Sequence, residues 1–234
     1  MLSNWLLLPD VSADMPFQMA LDEVIFRETI TRRRVNLSST PILRFFYSSE
    51  PWTTVGYSYQ GSIVPGEKIC RRMTGGGKVS HGEDLIMSLI AHKSADETFA
   101  SVRVSYWKIH EAIKKGFEIL GHQLRFYRAD EKLPTGGDCF LFPITTDLAY
   151  GKQKVAGGSQ KRSEGFFLHQ ESIQKGDAYI NLQDLKLAIQ QGFENVFTMK
   201  LQEQDMESDW LKSAKKLAQE KYSNELYTAK GGSL

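Results

Sequence analysis

Apolar residues recur at helical spacing in four segments of the chain, and polar residues occupy the positions between them. The spacing predicts helices over 16–32, 104–120 and 208–222, and a further helix that begins after Asn181 as its cap. In the second of these helices the spacing places Trp107 on the buried face. Amphipathic helices of this kind indicate a globular core rather than an extended or disordered chain.

Shorter apolar runs between the helices have the length of buried strands: 42–47, 52–57, 85–90, 124–127, 146–150, 153–156 and 165–169. We expect the first two runs to pair with each other across the polar turn at Pro51, and Gly151 to turn a hairpin between 146–150 and 153–156. Because strands and helices follow each other without a regular βαβ order, the pattern predicts an α+β fold with a mixed, largely antiparallel sheet packed with helices.

The length of 234 residues suits one catalytic-size domain over 1–227 and a flexible tail over 228–234, with no separate C-terminal accessory domain. A formal net charge of +1 argues against general binding to nucleic acid or to an acidic membrane, so any anion site is expected to be local. No apolar run approaches the roughly 20 residues of a membrane helix.

The two cysteines, Cys70 and Cys139, form neither a disulfide framework nor a zinc spacing. The run Trp5–Leu8 is too short for a signal segment, and no basic residues precede it. The sequence therefore predicts a cytoplasmic protein without a motif for a bound metal.

Two segments combine glycines with cations: RRMTGGGKVSH at 71–81 and GKQKVAGGSQKR at 151–162. Glycine lets backbone N–H groups approach a ligand, and arginine and lysine neutralise a phosphate or carboxylate. Each segment also fits a purely structural role, as a tight turn with surface charges paired to neighbouring carboxylates. We interpret both segments as loops, and two such loops together favour a local site for a small anion, such as the phosphate of an acyl adenylate.

Common nucleotide and hydrolase motifs do not fit these segments. A P-loop needs glycine at position 72 and Ser or Thr at position 79, where the chain has Arg72 and Val79. The dinucleotide pattern fails at Ser80, and a nucleophile elbow that starts at Gly56 fails at Gln60. The five histidines show no HExxH pairing.

Both glycine segments, with Asp84, Leu85 and Ser88 after the first and Leu168-His169-Gln170 after the second, resemble the signature blocks of the lipoate–protein ligase and octanoyltransferase family. This family is similar to the biotin–protein ligases. Weaker blocks agree in order: MALDE at 19–23, LRFFY at 43–47 and TVGYSYQ at 54–60. The resemblance implies a biotin/lipoate protein ligase-like catalytic domain and acyl transfer to one lysine of a lipoyl domain.

The resemblance also implies roles for individual residues. Lys154 would be catalytic, because it would contact the acyl carbonyl or the bridging phosphate and stabilise charge in the transition state. Asp147 would orient the incoming lysine or a metal-bound phosphate. Phe45, Phe46 and Tyr57 could line an apolar channel for an eight-carbon chain, but an ordinary core position is the favoured alternative for each of them. The remaining substrate-binding residues are Arg71, Arg72, Thr74, Gly75, Gly76, Gly77, His81, Gly157, Gly158, Ser159 and His169. No role is assigned to Lys78.

The family contains two chemistries. Ligases make lipoyl-adenylate from lipoate with ATP and Mg, and transferases take octanoyl from acyl carrier protein through a cysteine thioester. Cys139, in GGDCF at 136–140, resembles the loop of a branch that uses cysteine, although a small buried thiol is an equal alternative. The intact triple glycine resembles the ligase form, so we favour an ATP-dependent lipoate–protein ligase, with the octanoyltransferase as the alternative.

Expected acceptors are the lipoyl domains of 2-oxoacid dehydrogenase E2 subunits and the glycine cleavage H protein. Biotin ligase is a third enzymatic alternative, which the segment after His169 and the Cys139 loop disfavour. A non-catalytic binder of lipoate or of lipoyl domains is an alternative from another class, and Lys154 argues against it because the family uses that amine chemically.

Overall fold

The computed structural model describes residues 3–34, 40–63, 66–127 and 146–230. Its strands are β1 (Ser3–Leu8), β2 (Ile42–Phe46), β3 (Trp52–Val55), β4 (Ile69–Arg71), β5 (Lys78–His81), β6 (Leu85–His92), β7 (Arg125–Phe126), β8 (Leu148–Tyr150), β9 (Gln153–Ser163), β10 (Phe166–Ile173) and β11 (Met199–Glu203). Its helices are α1 (Met15–Arg34), α2 (Val102–Ile119), α3 (Leu182–Phe197), α4 (Ser208–Leu217) and α5 (Glu225–Lys230). One 3-10 turn precedes α2, and a π-helical turn over 218–222 extends α4.

Eight strands form the main sheet in the order β11-β1-β2-β6-β10-β9-β8-β7. The pairs β11–β1 and β1–β2 are parallel, and the other neighbouring strands are antiparallel. The strands β4-β3-β5 form a second, smaller sheet. The predicted α+β fold with a mixed, largely antiparallel sheet is therefore confirmed.

The main sheet separates two apolar cores, because successive side chains of a strand point to opposite faces. Along β6, Leu85, Met87 and Leu89 belong to the core under α2 and α3, whereas Ile86 and Ile90 belong to the core under α1 and α4. The predicted helices are confirmed to within two residues at most ends, and Asn181 caps α3 through a bond from the Gln183 N–H at 2.7 Å. No helix in the described ranges combines the length and the apolar character needed to cross a membrane.

Four local expectations were wrong. β3 pairs with β4 and β5 in the small sheet, and the expected partner β2 lies between β1 and β6. Trp107 is 48% exposed and stacks on Phe126, 6.2 Å away, because the apolar stripe of α2 turns past it toward Ile109 and Ile113.

The other two concern segments that were expected to be irregular. The glycine segment after Val155 continues as regular strand to Ser163. Residues 228–230, the expected start of a tail, belong to α5, and the Thr228 carbonyl accepts two bonds from Arg71. The hairpin turn at Gly151 is confirmed, with a positive φ of 58°.

Candidate active site

The triple-glycine segment joins β4 to β5 and packs on the end of β3 at Gly56. The Gly56 N–H donates to the Gly77 carbonyl at 3.1 Å, and the Tyr57 N–H donates to the Thr74 carbonyl at 2.8 Å. A Cβ at Gly56 would lie 2.0 Å from the Gly76 oxygen, so only glycine fits there. Sequence reasoning gave Gly56 no packing role, although a glycine within the predicted strand 52–57 is a signal of close backbone approach.

The three cations beside the glycines are engaged inside the protein. Arg71 is buried and donates to the backbone carbonyls of Gly56, Tyr57, Tyr59 and Thr228 at 2.7–3.0 Å. The structure therefore places Arg71 in a structural position, away from the pocket that it was expected to serve. These five hydrogen bonds of its guanidinium within the described residues all go to main-chain oxygens.

Arg72 closes the glycine loop on itself. Its guanidinium donates to the Gly75 and Gly77 carbonyls at 2.8 and 3.1 Å and to the Thr54 hydroxyl at 3.1 Å. Lys78 forms an ion pair with Glu67 at 2.8 Å. The positive charge of this segment is thus largely neutralised or directed at carbonyls, so the expected anion cradle is weaker than its sequence indicates.

A pocket opens between the two glycine segments. Its apolar wall is made by Met19, Val79 and Ile86. Phe45 and Phe46 are core residues, which is the alternative that the sequence favoured, and Tyr57 is 39% exposed. Its other lining residues are Thr54, Arg72, Gly76, His81, Lys154, Gly157, Gly158, Ser159, Gln170, Glu171 and Ser172. The structure thus brings together residues of both signature segments.

Lys154 and Asp147 form a buried ion pair at this pocket, with 2.7 Å between Nζ and Oδ2. Asp147 immediately precedes β8, and Lys154 lies near the start of the antiparallel neighbour β9, so the hairpin that Gly151 turns brings the two side chains together. An amine held beside a carboxylate in a buried site is a fixed positive charge that can stabilise an oxyanion.

Adjacent glycines of β9 make room on opposite faces of the sheet. A Cβ at Gly157 would lie 2.2 Å from Cε and 2.4 Å from Nζ of Lys154. A Cβ at Gly158 would lie 2.1 Å from Oε2 of Glu171 and 2.6 Å from Nε2 of His169. The Gly-Gly pair therefore serves side chains above and below the strand, although the sequence suggested a loop that binds ligand with its backbone.

A polar network connects the pocket to the first helix. The Ser159 hydroxyl donates to the Thr74 hydroxyl at 2.8 Å, and Thr74 donates to Oε1 of Gln170 at 2.7 Å. Nε2 of Gln170 donates to Oδ2 of Asp22 at 2.7 Å, and Asp22 forms a buried ion pair with Arg44 at 2.7 Å. This network holds Thr74 and Ser159 in one orientation, and sequence reasoning missed Gln170 and Arg44 as its members.

His81 also has fixed partners. Its Nε2 lies 2.8 Å from the Thr54 hydroxyl and its Nδ1 lies 2.7 Å from Oδ2 of Asp84. Burial of the Asp84 carboxyl favours the neutral form, but His81, the Ser172 hydroxyl and the Gly82 N–H together outweigh it and lower the pKa of Asp84. Asp84 is thus a stable carboxylate that orients His81 at the pocket wall.

His169 lies on the other face of the sheet from Lys154, within a fully buried cluster. Oε2 of Glu171 is 3.0 Å from Nε2 of His110 and 2.8 Å from Nε2 of His169. Burial raises the pKa of Glu171, but the two histidines outweigh burial and lower it to about 2. Glu171 borders the pocket but His169 does not line it, contrary to the role that the resemblance implied for His169.

Within the described residues, His110, His169 and Glu171 are also the group whose ligand atoms lie close enough to hold a metal ion, within 4.8 Å of one another. Two of the contacts in this group are direct hydrogen bonds between the candidate ligand atoms, at 2.8 and 3.0 Å. Because an ionised carboxylate only accepts, each of these contacts requires a proton on the ring nitrogen.

Of the two thiols, Cys70 is fully buried and lies 3.7 Å from the Tyr222 carbonyl. Burial raises the pKa of Cys70 strongly, and Asp14 raises it further. A thiol that remains protonated is a poor nucleophile, so Cys70 is excluded as the site of a thioester. Cys139 falls outside the described residues.

The family model for the lipoyl protein ligase A/B catalytic domain matches residues 14–174 of the chain, more than half of its length. The chain belongs to this family. The expected family is thereby confirmed, and the matched residues include both glycine segments, Asp147 and Lys154.

Two relatives are octanoyltransferases LipM. The protein from Oceanobacillus iheyensis is 25% identical over 181 residues, which cover 74% of this chain and 64% of that protein. The protein from Exiguobacterium sibiricum is 31% identical over 189 residues, which cover 74% of this chain and 66% of that protein. The match thus spans a little under two thirds of the length of each relative.

Solved structures show the same fold. A lipoate-protein ligase A bound with ATP has a TM-score of 0.76 at 19% identity, over 97% of this chain and 98% of that one. The bi-partite lipoate protein ligase of Thermoplasma acidophilum, studied with its E2 lipoyl domain, has a TM-score of 0.72 at 18% identity, over 98% and 97%. At these identities the likeness concerns the fold.

Proposed function

We propose that the protein transfers an octanoyl or lipoyl group to a lysine of a lipoyl domain, and that it does so as a thioester-forming octanoyltransferase. The observation that carries this choice is the set of named LipM octanoyltransferases at 25–31% identity, against lipoate ligases at 19% identity or less. The sequence alone favoured the ATP-dependent ligase, and the relatives favour what was then the alternative.

The engagement of the loop cations supports the same choice. A ligase must hold the triphosphate of ATP with Mg, and cations that face the ligand do this in most nucleotide sites. Here Arg71 donates to backbone carbonyls and Lys78 pairs with Glu67, whereas Arg72 lines the pocket but also donates to the carbonyls of the glycine loop. A transferase, which needs no triphosphate, is compatible with cations that serve the loop itself.

The proposed reaction has two acyl transfers. In the first, the Cys139 thiolate attacks the octanoyl thioester of acyl carrier protein, the carrier leaves as a thiol, and a protein thioester forms. In the second, the neutral ε-amine of the acceptor lysine attacks this thioester, the Cys139 thiol leaves, and an amide bond forms. Each step passes through a tetrahedral oxyanion.

Lys154 is the proposed stabiliser of both oxyanions. Its ammonium is held by Asp147 at 2.7 Å in a buried setting, so its charge needs little reorganisation when the oxyanion forms. The apolar wall of Met19, Val79 and Ile86 would take the acyl chain, and the polar end near Ser159 would face the reacting carbonyl. The acceptors we propose are lipoyl domains of E2 subunits and the glycine cleavage H protein.

The first experiment compares the two thiols of the chain. The protein is incubated with octanoyl-acyl carrier protein, and its intact mass is measured. We expect an octanoyl adduct on the wild type and on Cys70→Ser, and none on Cys139→Ser. An adduct that persists in Cys139→Ser contradicts the thioester mechanism.

The second experiment separates transferase from ligase. Transfer to a lipoyl domain is measured with octanoyl-acyl carrier protein, and in parallel with lipoate, ATP and Mg while AMP is quantified. We expect modification in the first arm alone, and Lys154→Ala should abolish it. Release of AMP together with modification of the acceptor would support the second candidate function, the ligase. This candidate is favoured by the similarity of the fold to that of a lipoate-protein ligase A bound with ATP.

A further inference from the structure

The buried cluster of His110, His169 and Glu171 lies beneath the strand that carries Lys154, and the proposed chemistry does not use it. All three side chains are fully buried, and a Cβ at Gly158 would collide with two of them. Such a cluster is costly to bury unless every proton has a partner. The partners of each ring nitrogen therefore reveal where the protons are.

His110 must carry protons on both ring nitrogens. Its Nδ1 contacts the Thr146 carbonyl, which can only accept, so Nδ1 is a donor. Its Nε2 lies 3.0 Å from the Glu171 carboxylate, which also only accepts when ionised. A ring that donates from both nitrogens is an imidazolium, and it forms a buried ion pair with Glu171.

His169 must be neutral by the same reasoning. Oε1 of Gln160 accepts from Nε of Arg162 at 3.0 Å, which fixes the orientation of the amide. Nε2 of Gln160 therefore donates to Nδ1 of His169 at 3.1 Å, so Nδ1 is an acceptor. The single proton of His169 is on Nε2 and points at Glu171, 2.8 Å away. Neither Nε2 has a lone pair left for a metal.

The pKa directions agree with this assignment. Burial disfavours the charge of His110, but Glu171, the Thr146 carbonyl and Asp147 outweigh burial and raise the pKa of His110. Burial lowers the pKa of His169 and outweighs the attraction of Glu171. The other titratable groups that face the cluster are Tyr106 of α2, with its ring 5.0 Å from that of His169, and Arg162 of β9.

One peptide unit, between Thr146 and Asp147, connects the His110 ring to the proposed reaction site. The Thr146 carbonyl, which His110 binds, belongs to the peptide that enters Asp147. On the other side, the Asp147 carbonyl accepts from the Tyr127 N–H at 2.8 Å. Asp147 is thus held on both sides, and its carboxylate holds the Lys154 amine.

We propose that His110 is a positioning residue for acyl transfer: as an imidazolium paired with Glu171, it fixes the Thr146–Asp147 peptide and thereby the Lys154 amine. The proposal rests on the proposed function of Lys154. It assigns a role to a residue on the opposite face of the sheet from the pocket, which acts without touching the substrate.

The first test reads the protons directly in the wild-type protein. The chain has five histidines, so two-bond nitrogen–proton correlation spectra can be assigned with single His→Gln variants. At pH 7 we expect two protonated nitrogens for His110 and an Nε2–H neutral ring for His169. A neutral His110 ring, or a metal found by elemental analysis together with a metal-shifted Nε2 signal, overturns the proposal, and neither result depends on activity.

The second test uses two replacements that each keep one half of the ring. In His110→Asn the amide takes the place of Nδ1 and can still reach the Thr146 carbonyl, whereas in His110→Gln it takes the place of Nε2 and reaches Glu171 only. We expect kcat for transfer to fall at least tenfold in His110→Gln, with KM for octanoyl-acyl carrier protein within about twofold, because misplacement of a catalytic group by about 1 Å costs up to about 100-fold. His110→Asn should retain more of kcat.

His92→Gln is the matched control, because His92 is half-buried at the end of β6 and bonds Ser94. Lys154→Ala separates a failure of the proposed function from a failure of the positioning role of His110. If Lys154→Ala retains transfer, the proposed function itself is wrong; if it loses transfer while His110→Gln equals His92→Gln, the positioning role alone is wrong. If His110→Gln does not fold, the ring protonation in the wild type decides.

Discussion

Replacement of Gly157 by alanine should separate activity from stability. The new Cβ would lie 2.2 Å from Cε and 2.4 Å from Nζ of Lys154, whereas Oδ1 of Asp147 would be at an ordinary 3.4 Å. Carbon atoms in contact sit about 3.5–4.0 Å apart, so the end of Lys154 must move by more than about 1 Å. Asp147 can stay, and the 2.7 Å ion pair is then lost or lengthened.

The magnitudes differ for rate and for folding. Loss of one preorganised group that stabilises an oxyanion costs about 100- to 1,000-fold in kcat, and we expect a loss of about 100-fold in Gly157→Ala. Its free energy of unfolding should change by less than about 2 kcal/mol, because the flexible end of the lysine can move aside. In addition, alanine reduces the conformational entropy of the unfolded chain, which stabilises the folded protein by about 0.4–1 kcal/mol.

Gly158→Ala is the matched comparison, one residue along the same strand. Its Cβ would meet Glu171 and His169, which are fully buried and cannot move aside. We expect a loss of about 3 kcal/mol or more in the free energy of unfolding. Guanidinium unfolding and the rate of transfer to a lipoyl domain are measured for both variants. Full activity of Gly157→Ala, or equal destabilisation of the two variants, would refute the assignment of the glycines to opposite faces.

Three further outcomes are expected. Arg71→Lys should lower the free energy of unfolding by about 2–4 kcal/mol in denaturant titrations, because an ammonium cannot reach all four carbonyls. Its kcat per folded molecule should be unchanged. A fall in kcat at equal stability would restore the expected role of Arg71 at the ligand. Gly56→Ala should destabilise by several kcal/mol while Gly75→Ala, with open space around its Cβ, stays within about 1 kcal/mol in thermal unfolding; equal effects would contradict the packing of the loop on β3. The pKa of Glu171 is about 2 in the folded protein, below its ordinary 4.5. The ionised carboxylate therefore contributes its full stabilisation above pH 4.5, and this stabilisation is lost as the pH falls toward 2. In urea unfolding from about pH 7 to about pH 3, the free energy of unfolding should fall more steeply for the wild type than for Glu171→Gln.

The helices were predictable because burial on one face imposes a spacing that the sequence displays directly. α2, α3 and α4 follow that spacing closely, and the cap of α3 is a local hydrogen bond that Asn181 signals in the sequence. Trp107 shows the limit of the method, because the spacing cannot tell the centre of an apolar stripe from its edge, where a large ring remains half in solvent.

Strand partners were less predictable than strands. β2 and β3 are separated by a short polar turn, which normally indicates a hairpin, yet β3 pairs with strands on either side of the glycine loop. That choice depends on contacts such as Gly56 against Gly76, between positions 20 residues apart. Local patterning carries no information about such a contact.

The site was partly visible in the sequence. Lys154 and the two glycine segments were identified, but Gly157 and Gly158 were interpreted as a ligand-binding loop. A glycine needed for freedom of the backbone and a glycine needed to clear a neighbouring side chain are identical in sequence. The cluster around His110 gave no signal, because a histidine in an amphipathic helix looks like any half-buried residue until its partner across the sheet is known.

The bond from Arg71 to the Thr228 carbonyl has a practical consequence for protein production. Truncation of the chain before residue 228 would strip two hydrogen bonds from a buried guanidinium that also supports Gly56 and Tyr57. Shortened forms would thus expose the glycine loop to local unfolding, although the cut lies more than 150 positions away in sequence. Affinity tags and crystallisation boundaries are better placed beyond α5.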